Sequence, residues 1–317
     1  MIAPPTLRSA VAEFTAFLDS NQAGEPGSYE LVECRFDCIK LVAQAIERSG
    51  DFSQDELRSI QNWFRAETEK WLCRSQMIAR ARIWPEGYPG DYKTIEGVYA
   101  NSPAGEGVGL HLDRYFLSRT LAVAIRSRAR RLSELLAARN NSESSDARWL
   151  NLACGPCREL LSIPPPTGSR TITCVDSDAN ALSYAKNLLA EQNIGQLQFL
   201  TENAYRYANP TRNISRFGQL TTIYSAGLFD YIPSARLSTL LGALYQSLAT
   251  GGVLIAPLKD SRRYETFDYH WGAKWDFFIQ REETEFRTIF SEASIPENAV
   301  SVERDDSGVI LFFVARK

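Results

Sequence analysis

The run Leu150-Asn151-Leu152-Ala153-Cys154-Gly155-Pro156-Cys157 carries an apolar strand straight into a turn. A buried strand that bends sharply into a helix presents backbone N–H groups and a helix N-terminus at the carboxyl edge of a sheet, where cofactors bind. Asp176 ends the next apolar run, Thr173-Cys174-Val175-Asp176. It lies about 20 residues beyond Gly155, the spacing at which a carboxylate can accept hydrogen bonds from ribose hydroxyls. Together the two features point to a nucleotide-like cofactor more strongly than either does alone. Gly155 is the single clear glycine of the loop, because Ala153 and Cys157 stand where cofactor loops often use glycine; Gly155 is the residue suited to any bend that needs positive φ. An α/β core turn that binds nothing is the plainer alternative.

The string Cys154-Gly155-Pro156-Cys157 also matches a dithiol redox motif placed between a strand and a helix. A thioredoxin-like domain would carry an aromatic residue before the first cysteine, whereas Ala153 precedes Cys154, and further parallel-sheet elements follow Asp176. Cys34 and Cys38 have i,i+4 spacing but no second Cys or His pair nearby, so they read as packing residues rather than a metal site. Two histidines, His111 and His270, are available as bases. His270 is the better candidate, since Tyr269, Trp271, Trp275, Phe277 and Phe278 surround it with aromatics suited to a hydrophobic substrate pocket. The same rings would equally pack a helix onto a sheet. Gly87-Tyr88-Pro89-Gly90-Asp91-Tyr92 combines bending residues with an acid and two phenols, a composition suited to a lid, with capping of the helix that starts at Tyr92 as the ordinary role of Asp91. Phe229-Asp230-Tyr231 follows an expected strand; Gly227 would let a cofactor approach the backbone, and Asp230 suits either a substrate contact or a cap before Pro233.

These groups need a scaffold. Apolar residues recur at helical spacing over 6–19 and 29–48, in a further helix from Ser53 to about Ile78, and over 92–99 and 111–138. The polar tract 140–147 reads as a linker. Beyond it, apolar runs at 149–154, 171–175, 197–200, 220–224 and 252–258 alternate with helical stretches near 158–163, 178–191 and 234–249, and Val309 to Val314 adds a last strand. Such alternation is the signature of βαβ units. The expected organisation is therefore a helical region, 1–139, a linker, 140–147, and an α/β domain, 148–317.

The chain has 317 residues, 44% hydrophobic and 23% charged, with a formal net charge of -3, values of an ordinary globular protein. Basic residues are scattered apart from Arg126, Arg128, Arg130 and Arg131, so no broad nucleic-acid footprint appears, and a solvated helix face is the ordinary reading of that cluster. An RNA partner is the minor alternative. No apolar run approaches the roughly 20 residues of a membrane span, no leader pattern opens the chain, and six dispersed cysteines fit a reducing compartment; the expected location is cytoplasmic.

The ordered set Leu152-Ala153-Cys154-Gly155-Pro156-Cys157-Arg158-Glu159, Val175-Asp176-Ser177-Asp178 and Tyr224-Ser225-Ala226-Gly227-Leu228-Phe229-Asp230-Tyr231 resembles class I methyltransferases that use S-adenosyl-L-methionine (SAM). A narrower likeness is to bacterial methyltransferases of 3-hydroxypalmitic acid methyl ester biosynthesis, the extracellular-factor type. It extends to residues 87–92, to His111-Leu112-Asp113-Arg114-Tyr115-Phe116-Leu117 and to Phe277-Phe278-Ile279-Gln280-Arg281-Glu282-Glu283. Cys157 stands where that group more often has alanine. The resemblance implies a Rossmann-like methyltransferase sheet with an N-terminal helical cap and SAM as cofactor. It implies cofactor contacts from Tyr88, Asn151, Ala153, Cys154, Gly155, Asp176, Ser177, Asn203, Ala204, Ser225, Ala226 and Gly227. Asn203, in Thr201-Glu202-Asn203-Ala204, would meet adenine, with a simple turn as its other reading. Tyr92, Asp91 and His270 are the expected catalytic groups, and Tyr231, Trp271 and Trp275 the expected substrate contacts. The implied acceptor is a small hydrophobic acid methylated on its carboxylate. The alternatives are N- or phenol methylation in a natural-product pathway, and a SAM-binding regulator without turnover. No metal, nucleic acid or membrane span is expected.

Overall fold

The computed structural model describes residues 3–21, 28–140, 146–275 and 277–317. The chain divides into two compact units, Met1–Val123 with Glu265–Phe277, and Ala124–Tyr264 with Phe278–Lys317. The centre of the expected linker 140–147 lies outside the described residues. The division falls earlier than the expected domain limits 139 and 148, and a later segment returns to the N-terminal unit. Packing explains the return: Phe267 and Trp271 set their rings edge-on to Phe36 and Phe64, so Glu265–Phe277 shares the core of the N-terminal helices. A polar tract marks a loop in sequence but carries no signal of such a crossing.

The first unit contains helices α1 (Pro5–Ser20), α2 (Tyr29–Ser49), α3 (Gln54–Leu72), α4 (Gln76–Ile83), α5 (Tyr92–Ala100) and α6 (Val108–Ser118). Ser53 and Glu56 close a reciprocal capping box at the start of α3. The helix expected from Ser53 to Ile78 is two helices, because Ser75 turns extended and caps α4 by accepting the Ile78 N–H. The expected helix 111–138 is likewise α6 followed by α7 (Thr120–Asn140), broken where Arg119 adopts an extended conformation. Helical periodicity persists across both breaks, which hides them in sequence.

The second unit is built on a seven-stranded sheet ordered β3-β2-β1-β4-β5-β7-β6. Its strands are β1 (Asp146–Leu152), β2 (Ser169–Asp176), β3 (Gln196–Thr201), β4 (Leu220–Tyr224), β5 (Leu248–Lys259), β6 (Val300–Arg304) and β7 (Ile310–Arg316), with helices α8 (Ala179–Leu188), α9 (Pro210–Phe217), α10 (Ser234–Gln246) and α11 (Glu283–Glu292). The pairs among β3, β2, β1, β4 and β5 are parallel, and β7 runs antiparallel to β5 and β6. Leu152, Val175 and Ile223 are fully buried, as expected of strands covered on both faces. The expected helix 158–163 is a single tight turn, Arg158–Ser162, and α9, α11 and β6 were not anticipated.

The chain runs outward from β1 to β2 and β3, then crosses back to place β4 on the other side of β1. Loops leaving β1 and β4 therefore diverge and open a crevice at the carboxyl edge, the usual ligand position in such sheets. Leu240, Leu241 and Leu244 of α10 and Phe286, Ile289 and Phe290 of α11 join Leu254, Leu258 and Phe313 of the sheet in one core. Among the described residues, no helix is long and apolar enough to cross a membrane.

α10 and α11 approach closely at Gly242, where an added Cβ would stand 2.8 Å from the backbone oxygen of Ala293. Backbone cannot yield as a side-chain tip can. Gly242→Val is expected to cost about 1–3 kcal/mol through overpacking, read as an earlier denaturant midpoint; an unchanged midpoint would contradict this packing.

Candidate cofactor site

The β1 loop is held from beneath and from the side. Ala153, Gly155 and Cys157 all have positive φ, at 48°, 53° and 55°. Sequence reasoning assigned that conformation to Gly155 alone; the other two are non-glycine residues whose strain the surroundings hold in place. The Cys154 N–H donates to the Val175 carbonyl at 3.0 Å, and the Gly155 N–H donates to Asp176 Oδ2 at 2.8 Å. Asp176 Oδ1 accepts the Asp178 N–H at 3.0 Å, and the Asp176 carbonyl accepts the Glu202 N–H at 2.8 Å. One acidic residue thus ties together the ends of β1, β2 and β3. Burial raises the Asp176 carboxyl above its ordinary value, against the backbone N–H donors that favour its charge.

Beside this clasp a cleft of about 120 Å³ is lined by Ala153, Ser177, Glu202, Asn203, Ala204, Tyr205, Leu228 and Ile232. Asn203 Oδ1 accepts the Tyr205 N–H at 2.9 Å, so its oxygen makes the turn while its amide nitrogen remains for other contacts. Glu202 is committed elsewhere, accepting from the Tyr207 hydroxyl at 2.9 Å and from Arg216 at 2.9 and 2.8 Å. Asp178 caps α8 through the Asn180 N–H. Four of the expected cofactor residues, Ala153, Ser177, Asn203 and Ala204, share this cleft, with Gly155 and Asp176 at its margin. Glu202, Tyr205, Leu228 and Ile232 complete its lining and are not among the residues expected from sequence.

Three of the expected cofactor residues, Asn151, Cys154 and Ser225, turn their side chains inward. Asn151 Nδ2 donates to Glu159 Oε1 at 2.9 Å, and the Tyr224 hydroxyl donates to the same oxygen at 3.1 Å. The Ser225 hydroxyl accepts the Leu228 N–H at 3.3 Å and shapes the turn through Ala226 and Gly227. Cys154, Cys157 and Cys174 are buried free thiols under the loop, and burial holds the Cys154 thiol well above the usual range. A buried protonated thiol is a poor nucleophile, which counts against the redox reading.

At the carboxyl edge of β5, the buried Lys259 pairs with Asp230 and lies over the rings of Phe278, at 4.6 Å, and Tyr231, at 5.7 Å. Asp230 also accepts the Lys259 N–H at 3.1 Å, so its role is an ion pair rather than a cap. Arg130 pairs with Asp306, and Arg131 with Glu303 and Glu134, while Arg128 turns into the interior.

The remaining expected residues belong to the first unit. Asp91 caps α5, its Oδ1 accepting the Lys93 and Thr94 N–H groups at 2.9 Å, and it pairs with Arg80 at 2.8 Å. That is the capping role, not a carboxylate free to act as a base. Tyr92 is buried on the first turn of α5, and Tyr88 stands partly exposed in the preceding turn. Trp271 is fully buried and donates from Nε1 to Glu47 at 2.8 Å, which makes it a core residue instead of a substrate contact. His270 places Nδ1 3.8 Å from the same carboxylate. Burial opposes the charge on Glu47, but hydrogen bonds from His270, Trp271 and Thr266 hold its carboxyl below the ordinary value. Trp275 packs its ring against Gly90. His111 bonds Ser28 at 2.9 Å. Among the described residues, no group of His, Cys, Asp or Glu could hold a metal.

The chain is similar over its whole length to a possible exported protein from Bordetella parapertussis, with 17% identity, 100% of this chain and 99% of that one covered, and a TM-score of 0.61. It is also similar to SAM-dependent methyltransferases. One is a magnesium protoporphyrin IX methyltransferase from Synechocystis with SAM bound (15% identity, 72% and 98% covered, TM-score 0.42). Another is a 1,6-didemethyltoxoflavin-N1-methyltransferase from Burkholderia thailandensis (15% identity, 60% and 78% covered, TM-score 0.43). The likeness to the Bordetella protein, at 17% identity, is one of fold alone: an α/β sheet of Rossmann-like order with a helical N-terminal region. No protein-family model matches the chain. No curated protein matches it.

Burial raises the Glu159 carboxyl from 4.5 to about 7. Between those values the folded protein holds a proton that the unfolded chain has released, so stability is greatest below the window and falls as pH rises through it. Glu159→Gln removes this titration. Thermal unfolding of wild type between pH 5 and 8 is expected to lose several degrees more than the variant does, about 2–4 °C per kcal/mol; parallel profiles would refute the assignment.

Proposed function

We propose that this protein is a SAM-dependent methyltransferase acting on a small, hydrophobic acid, with carboxylate O-methylation as its chemistry. The observation that carries the reading is the clasp of Asp176 on Gly155, set beside a cleft at the crossover between β1 and β4. The sheet order, with antiparallel β7 between β5 and β6, accords with the Rossmann-like sheet that the likeness to class I methyltransferases implies. The resemblance of residues 152–159, 175–178 and 224–231 to that group follows the same three strand ends.

The residues present fit the cofactor. Asp176 keeps acceptor capacity beyond its backbone donors Gly155, Ser177 and Asp178, since a carboxylate offers about four lone-pair sites. It would hold the ribose hydroxyls, with Ser177 beside it. Asn203 would present its amide to the adenine edge, and Ala153, with only a methyl group, leaves the loop backbone accessible. Bound SAM supplies an electrophilic methyl group on a positive sulfur. The protein's task is then alignment and exclusion of water. A carboxylate acceptor is already nucleophilic at neutral pH and needs no base, which accords with the commitment of Asp91 to a helix cap. The narrower hydroxy fatty acid reading rests on the sequence likeness.

Calorimetric titration with SAM and S-adenosylhomocysteine tests the cofactor, and absence of binding by folded protein would defeat the reading. Asp176→Ala is expected to weaken S-adenosylhomocysteine by about tenfold to a hundredfold, the loss of hydrogen bonds to a charged acceptor. Turnover follows from mass gain of one methyl group across hydroxy fatty acids, aromatic acids, amines and phenols; methylation of amines or phenols alone would overturn the acid assignment.

A further inference from the structure

We propose that Arg128 is a carboxylate receptor beside the Gly227 turn, an inference that rests on the methyltransferase reading only for naming which carboxylates arrive. Arg128 occupies the face of α7 formed by Ala124, Arg128, Leu132 and Leu136, an i,i+4 stripe whose other members are buried apolar residues. It is 6% exposed, and its Nε is buried without a hydrogen-bond partner. Its neighbours in sequence behave otherwise, since Arg130 and Arg131 reach the acids of the β6–β7 hairpin.

The guanidinium lies against the backbone of Gly227: a Cβ added there would stand 3.1 and 3.2 Å from its two terminal nitrogens. Leu228, the next residue, lines the cleft described above. Arg128 therefore meets the chain at the cleft's margin. Lys259 is close enough that the positive charge of Arg128 adds to burial in disfavouring its protonation, while Asp230 favours it. Asp230 is spent on Lys259, through both Nζ and the backbone N–H. Asp230 makes its ion pair with Lys259 and lies near the buried Arg281 as well, so among the described residues no carboxylate is paired with Arg128.

A buried guanidinium without a counter-charge is costly, whereas a carboxylate can satisfy it through two parallel hydrogen bonds. Gly227, with no side chain, lets the guanidinium lie directly against the turn that leads to the cleft residue Leu228, and Tyr231 and Phe278 flank Lys259 with apolar surface suited to the remainder of an acid. Two carboxylates suit the site, the amino-acid end of the cofactor and the head of the acceptor.

Titration of wild type, Arg128→Gln and Arg128→Lys with two matched pairs tests the proposal, with circular dichroism confirming the fold. Octanoate is compared with its uncharged methyl ester. S-adenosylhomocysteine is compared with 5′-methylthioadenosine, which lacks the amino-acid end. Arg128→Gln is expected to lose about tenfold or more for one of the carboxylates and to bind both uncharged partners as wild type does. Arg128→Lys should recover part of that loss. Loss confined to octanoate assigns the receptor to the acceptor; loss confined to S-adenosylhomocysteine assigns it to the cofactor. Arg128→Lys, which keeps the charge without the planar fork, serves if the glutamine variant fails to fold, and should then show a smaller loss for the same carboxylate. Wild type that binds neither carboxylate, or variants that lose charged and uncharged partners alike or lose neither, would overturn the proposal. Selective loss of octanoate in a protein that binds no S-adenosylhomocysteine would defeat the cofactor reading alone.

Discussion

The site depends on a carboxylate whose first partners are backbone N–H groups. Asp176 fixes Gly155 and Asp178 with its side chain and Glu202 with its carbonyl, joining three parallel strands at the edge where their loops diverge. Backbone donors are set by chain path rather than by rotamer, so the acid's position is as rigid as the sheet. The positive φ values at Ala153, Gly155 and Cys157 are affordable because this clasp and the buried layer below over-determine the loop.

That layer is unusual in being polar. Asn151, Glu159 and Tyr224 meet under the loop, where an apolar filling would have sufficed for burial. A connected set of hydrogen bonds specifies orientation as well as volume, and therefore holds the β1 and β4 ends in one relative position. The buried charges of Lys259 and Asp230 do comparable work, joining the end of β5 to the turn that follows β4 with directional contacts.

Much of this was legible in sequence. The alternation of apolar runs with helical stretches revealed the parallel sheet, and the interval from Gly155 to Asp176 located its principal edge. Side-chain direction was harder to read. Asn151, Cys154 and Ser225 lie in the expected loops yet face the interior, since motif position fixes the backbone and not which way each residue turns. Trp271 looked like a pocket wall because aromatic clusters line pockets and cores alike; its bond to Glu47 settles the matter toward core. Arg128 was hidden among four arginines, although its place on the stripe of Ala124, Leu132 and Leu136 distinguished it. Regular i,i+4 burial was the available signal, and charge composition obscured it.

The order of strands along the chain has a consequence for biosynthesis. β7 occupies an interior place in the sheet, between β5 and β6, although it is the last strand in sequence. As residues emerge from the ribosome, β5 presents its unpaired edge, with Leu254 and Leu258, until residues 310–316 arrive. Open apolar edges invite pairing with other chains. The nascent domain thus passes through an interval in which its sheet is nearly complete but its β5 edge is unsealed, and chaperone capture would matter most during that interval.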